Sequence, residues 1–203
     1  STSYRNEPNP VPGRHDKIFP MFEFEMKGGL DELIALEKEL LVYLGFKNGQ
    51  GKVGDYPDGE YRDVADRYAT AELDHDHETR LEKDHGPVFF LTHFPNYTSP
   101  FWNMAQNEQE NKAEKVDVII HGVETIGSAE RSCNKIQMRK QFYTISDGNY
   151  ANILFSNFTK ERVEAELEDF LNFDFFKRSG GGIGMTRMIR AMKLSGLLKN
   201  DGE

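Results

Sequence analysis

Three groups of residues, in a fixed order along the chain, suit the handling of phosphate. The first is Arg5 and Glu7 within Ser3-Tyr4-Arg5-Asn6-Glu7, followed by a short Pro-rich loop and then Arg14-His15, Phe19 and Glu23. The second is Asp117, Glu124 and Arg131, each seven residues after the last. The third is the run Gly180-Gly181-Gly182-Ile183-Gly184-Met185-Thr186-Arg187, read as the opening of a helix. An arginine fork meets phosphate oxygens bidentately and never loses its charge. Paired carboxylates suit Mg²⁺, a hard cation that takes oxygen ligands and borrows substrate phosphates. A glycine run lets backbone approach a nucleotide closely, because no Cβ intervenes. Such a set serves chemistry that needs positioning and charge neutralisation, with little covalent work by the protein.

These residues need a scaffold, and the apolar pattern supplies one. Residues 18–26 read as a buried strand closed by Gly28-Gly29, and 31–44 as a helix with Leu33, Leu36, Leu40 and Leu44 on one face. A Gly-, Asp- and Pro-rich loop over 45–60 leads to a short acidic helix near 75–85, with Asp74 as its cap. Residues 88–94 form an apolar run between Gly86-Pro87 and Pro95, a buried strand by this reading. The polar stretch 106–115 reads as a mobile loop, and strand character returns at Val116, Val118, Ile119 and Ile120. Asp147-Gly148 between alternating apolar positions predicts a hairpin over 141–155, to which no role is assigned. A helix over 159–171 presents Val163, Leu167 and Phe170, and the last helix buries Met185, Met188, Ile189 and Met192. The rhythm predicts an α+β fold, an antiparallel sheet with helices packed on it.

At 203 residues the chain is expected to be one catalytic domain, 1–203. A net charge of −9 argues against a broad basic surface for nucleic acid, though not against a local basic groove. One cysteine, Cys133, fits a reducing compartment, and no apolar run reaches membrane-spanning length. The expectation is a cytoplasmic protein with Cys133 as an inert buried thiol. Three other patterns carry nothing. Gly49-x-Gly51-x-x-Gly54 runs into Pro57 and not into a helix, Gly51-Lys52 lacks the Ser or Thr of a phosphate loop, and Asp74-His75-Asp76-His77 lacks zinc-ligand spacing.

In order and spacing, the three groups resemble motif 2, the metal-binding acidic strand and motif 3 of the class II aminoacyl-tRNA synthetase core, Asp/Asn subclass. The resemblance implies that Arg5 holds the α-phosphate of ATP, Glu7 reads adenine, Phe19 stacks on the ring and Arg14 or His15 reaches the outer phosphates. Asp117 and Glu124 would hold Mg²⁺. Arg131, within Gly127-Ser128-Ala129-Glu130-Arg131, would clamp a substrate carboxylate, with Ser128 and Glu130 beside it. Gly182 and Gly184 would lie along the nucleotide and Arg187 at its γ-phosphate. Ile18 departs from the pattern, which often has an acid there. Motif 1, the dimer-forming element, is expected before residue 4 and is not in this sequence, so a homodimer rests on the resemblance alone.

Within that family the sequence leans to an offshoot. Lys177-Arg178-Ser179 and Thr186 stand where Asp/Asn synthetases usually carry Pro-His and an acid. The glycine run is similar to that of ammonia-dependent asparagine synthetases, and Gly13-Arg14-His15 with 22–29 looks like the archaeal asparagine synthetase related to asparaginyl-tRNA synthetase. The resemblance implies aspartate, ATP and ammonia as substrates; a mixed anhydride must be kept from water, so 106–115 or 8–13 is expected to close over the site, and ammonia must arrive unprotonated, with Glu130 a contributor. An asparaginyl- or aspartyl-tRNA synthetase acting on tRNA is the alternative, and a non-catalytic paralogue a third reading.

Overall fold

The computed structural model describes residues 1–6, 8–10 and 16–199, so Glu7, Arg14 and His15 of the first motif lie outside the described residues. Strands β1 (Thr2–Tyr4) and β2 (Ile18–Lys27) pair antiparallel. Helix α1 (Leu30–Leu44) follows. Glu32 in its first turn accepts the Gly29 amide at 2.7 Å, and Gly45, at φ 89°, ends it with the left-handed residue such ends favour. Next come β3 (Asp58–Glu60), α2 (Tyr61–Arg67) and α3 (His75–His85). Asp74 caps α3 as expected, accepting from the amides of Asp76 and His77. Strands β4 (Val88–Pro95), β5 (Gln106–Asn107), β6 (Lys112–Ile120) and β7 (Val123–Arg131) build the centre. Helices α4 (Lys135–Thr144), α5 (Asn149–Phe158) and α6 (Lys160–Leu171) precede β8 (Arg178–Gly184) and α7 (Met185–Leu194).

The strands form one sheet in the order β1-β2-β8-β7-β6-β4-β3, with β5 beside β6. Only β3 and β4 run parallel; the other pairs are antiparallel. The α+β reading therefore stands. Helices α1 and α7 cover one face, packing Leu33, Leu41, Met188 and Ala191 against Val116, Val118, Ile126 and Ile183. On the other face α2 and α3 cover only the far edge, over Phe89, Leu91 and Ile119. The remainder, over β2, β8 and β7, carries a cavity instead of a helix. Helices α4 to α6 make a separate cluster of Met138, Phe142, Val163 and Leu167, with Trp102 packed against it.

Six expectations change. Residues 141–155 are not a hairpin: Ser146, Asp147 and Gly148 do adopt positive φ, but they form a kink between two helices. The flanks are helical because Met138 and Phe142, four apart, bury together against α6. The glycine run is a strand, paired on both sides, and the helix begins only at Met185. Residues 106–115 form the β5–β6 hairpin and not a loose loop. No residue of β2 is buried, because one of its faces lines the cavity. Leu36 and Ile189, expected on inner helix faces, are exposed. Cys133 is exposed as well, so the buried-thiol expectation fails.

Candidate active site

Period-two alternation in β2 puts Phe19, Met21, Glu23 and Glu25 on one face, and all four line a cavity of about 660 Å³. Arg5 reaches it from the end of β1, where its amide donates to the Lys17 carbonyl at 2.8 Å. The Arg5 guanidinium lies over the Phe19 ring, 5.2 Å from the centroid. The cation is drawn to the negative face of the ring.

The floor is set by three glycines in register. Gly127 of β7 stands opposite Gly182 of β8, and Gly184 ends β8 where α7 begins. A Cβ on Gly182 would lie 2.6 Å from Cε of Met21, so a side chain there would push the Met21 tip aside. Arg187, in the first turn of α7, donates from Nη1 to the Glu124 carbonyl at 2.6 Å and lies 3.9 Å from its carboxylate. Across the cavity Arg131 donates from Nε and Nη2 to Oε1 of Glu25, at 3.0 and 2.8 Å. This fork is the geometry that grips a carboxylate.

Asp117 and Glu124 meet across two paired strands. They stand on neighbouring strands of one hairpin, joined through His121-Gly122 with φ of 48° and 67°. Asp117 pairs with Gly127, and an irregularity after Val118 brings Glu124 opposite Ile119, on the same face. Both carboxylates lean over Gly127, where a Cβ would lie 2.7 Å from Oε1 of Glu124 and 3.5 Å from Oδ1 of Asp117. Asp117 is 7 % exposed, and its Oδ1 has no hydrogen-bond partner among the described residues. Burial pushes its carboxyl well above the usual range; Lys115 pulls it back and the charge of Glu124 raises it further. Two carboxylates with one open buried oxygen fit Mg²⁺, which completes its shell with water and phosphate oxygens. Among the described residues no three His, Cys, Asp or Glu converge as a self-sufficient metal site.

The cavity thus gathers Arg5, Phe19, Glu124, Arg131, Gly182, Gly184 and Arg187. Asp117 sits just beyond Glu124, in a smaller cavity with Lys115 and Phe94. Ser128 and Glu130 are not brought to it. They alternate to the opposite face, where Ser128 Oγ donates to buried Glu37 at 2.5 Å and Glu130 Oε2 accepts the Leu30 amide at 3.0 Å. Both serve the seating of α1. Burial raises the Glu37 carboxyl to about 8. Glu25 and Met21 were given no role by spacing of motifs, although alternation from Phe19 would have put them on the same face. Lys115 was findable in the same way, two residues before Asp117.

The family profile for tRNA synthetases class II (D, K and N) matches residues 1–197. No curated protein matches. Among solved structures, the asparaginyl-tRNA synthetase of Pyrococcus horikoshii complexed with asparaginyl-adenylate superposes with a TM-score of 0.73 at 16 % identity, over 94 % of this chain and 48 % of that one. The Entamoeba histolytica asparaginyl-tRNA synthetase in complex with asparaginyl-adenylate gives 0.72 at 16 % identity, over 96 % and 48 %. The aspartyl tRNA synthetase of the same organism gives 0.69 at 13 %, over 97 % and 44 %. The chain spans about half the length of these solved relatives. Among the described residues no helix is long and apolar enough to cross a membrane.

Proposed function

This chain belongs to the class II tRNA synthetases of the D, K and N group, and from that premise we propose that it activates aspartate as an adenylate and lets ammonia take it, giving asparagine. The observation that carries the activation step is the convergence of Arg5, Arg131 and Arg187 on one cavity with a glycine floor, with Glu124 in its lining and Asp117 just beyond. ATP lies with its base on Phe19, its α-phosphate at Arg5 and its γ-phosphate at Arg187. Aspartate enters at Arg131, where its α-carboxylate displaces Glu25 from the guanidinium fork. The β-carboxylate oxygen then attacks the α-phosphorus, a P–O bond forms, and the bond to pyrophosphate breaks. Arg5 and Arg187 neutralise the charge that gathers there, already in place before reaction. Glu124 and Asp117 would hold Mg²⁺, which supplies further neutralisation of the phosphate oxygens when bound.

Ammonia next attacks the carbonyl carbon of the mixed anhydride, AMP leaves, and the amide sheds a proton. The lean toward ammonia comes from Thr186 and Lys177-Arg178-Ser179 around the glycine run, where the sequence is similar to asparagine synthetases. A second reading has its own support: two neighbours hold asparaginyl-adenylate, the intermediate of a synthetase that charges tRNA. The non-catalytic reading is weakest, since a lost active site has no need of three arginines in one cavity. The deciding experiment gives the protein ATP, Mg²⁺ and aspartate, with ammonium or tRNA as acceptor. Asparagine formed only with ammonium supports the ligase. Aminoacyl-tRNA with no response to ammonium overturns it in favour of the synthetase. The working unit is proposed to be a homodimer, and sedimentation as a monomer at micromolar concentration would count against that.

A further inference from the structure

Lys115 and Asp117 stand two apart on β6 and share a sheet face. The Lys115 ammonium donates to Oδ2 of Asp117 and lies 3.6 Å from the centroid of the Phe94 ring. Its side chain is 19 % exposed, held between a carboxylate on one side and an aromatic face on the other. Asp117 therefore gives one oxygen to a cation of the chain's own. The other, Oδ1, has no partner among the described residues and leans with Glu124 over Gly127. The acid pair has opposite demands with and without nucleotide. Alone, two carboxylates this close repel; the Lys115 ammonium offsets that at Asp117, while Arg187 stands 3.9 Å from the Glu124 carboxylate. A divalent ion entering the empty pair would add its charge beside the ammonium, in a half-buried place where such repulsion is poorly screened. A triphosphate brings enough negative charge to reverse the balance.

We infer that Lys115 is a resident counter-ion of the Asp117–Glu124 pair, which turns away a free divalent cation and admits one only together with a nucleotide's phosphates. The inference rests on the reading of the neighbouring cavity as a nucleotide site. It makes Lys115 a positioning residue: it acts on the acids and does not touch the reacting atoms.

The test uses Mn²⁺ as the probe, counted by the loss of its free-ion paramagnetic resonance signal, on the whole chain without substrates. Lys115→Met keeps the stem over Phe94 and removes the charge, and it should bind Mn²⁺ at least about tenfold more tightly than the wild type. Lys115→Gln, as a second neutral variant, should do the same, and adding Asp117→Asn should abolish the gain. With a non-hydrolysable ATP analogue present, the wild type should gain Mn²⁺ affinity and the gap between the proteins should shrink. If the analogue raises wild-type affinity but neither neutral variant binds more tightly without it, the counter-ion role is wrong and the nucleotide site stands. If the analogue changes nothing in any of the proteins, the nucleotide reading fails and takes this inference with it.

Discussion

Single residues of this chain are tied to opposite faces of one sheet, and their exchange has opposite expected readouts. Arg187 sits at the head of α7 with its guanidinium on the Glu124 carbonyl. Arg187→Ala should lower the rate of pyrophosphate exchange by about 10²-fold or more, the usual loss when one preset charge-stabilising group is removed. An unchanged rate would remove Arg187 from the site. Glu37 is 1 % exposed behind the sheet, and its carboxyl is raised from 4.5 to about 8 by burial. Between those values the folded chain keeps a proton that the unfolded chain has lost. Stability is therefore full below the lower value and falls as pH rises through the upper one, by up to roughly 1.4 kcal/mol per unit. Glu37→Gln should match the wild type near pH 4 and exceed it near pH 9, and urea unfolding at the two values checks this. A wild type no less stable at high pH than its variant would show that Glu37 is ionised in the fold.

At the scale of elements, Glu130 shows how a site residue by motif becomes a structural residue by periodicity. Its carboxylate accepts the first amide of α1 and stands 3.8 Å from the Lys177 ammonium. Glu130→Ala should cost about 1 kcal/mol as a lost helix cap, seen as a lower melting temperature, while KM for aspartate stays put. A raised KM with unaltered melting would return Glu130 to the substrate. The motifs were legible in the sequence because arginine, acid and glycine types survive any view of the local backbone. What was not legible was the face each residue takes, since Ser128 and Arg131 differ in side of the sheet, not in proximity along the chain. The turn at Asp147-Gly148 shows the same limit. Its left-handed residues were legible, but whether they join strands or helices was decided by Val163 and Leu167, more than a dozen positions away. The glycine run read as a helix start because Thr186 and Arg187 are indeed helical, while β2 and β7 claim the glycines as a central strand.

Across the whole molecule the α4–α6 layer has its own apolar cluster, apart from the two that hold the sheet. Phe142 is 3 % exposed at its centre, edge-on to Trp102. Phe142→Ala should cost about 3–5 kcal/mol, and the loss should stay local: amide exchange should quicken in 135–171 and remain slow in β6 and β7. Equal quickening in both would mean that the layer and the sheet unfold as one. The sheet itself is finished on the α1 and α7 side and half-finished on the other, where α2 and α3 stop short of β2, β8 and β7. On the proposed function, a fold left open over its central strands has its reactants as the last course of its masonry. Nucleotide and amino acid in the cavity would then complete the second layer, and the protein should be at its firmest when occupied. At a hundredfold excess over the dissociation constant the gain is about 2.7 kcal/mol, enough to read as a clear rise in melting temperature, and the strands that gain protection from exchange should be β2, β8 and β7, whose cavity face no helix covers.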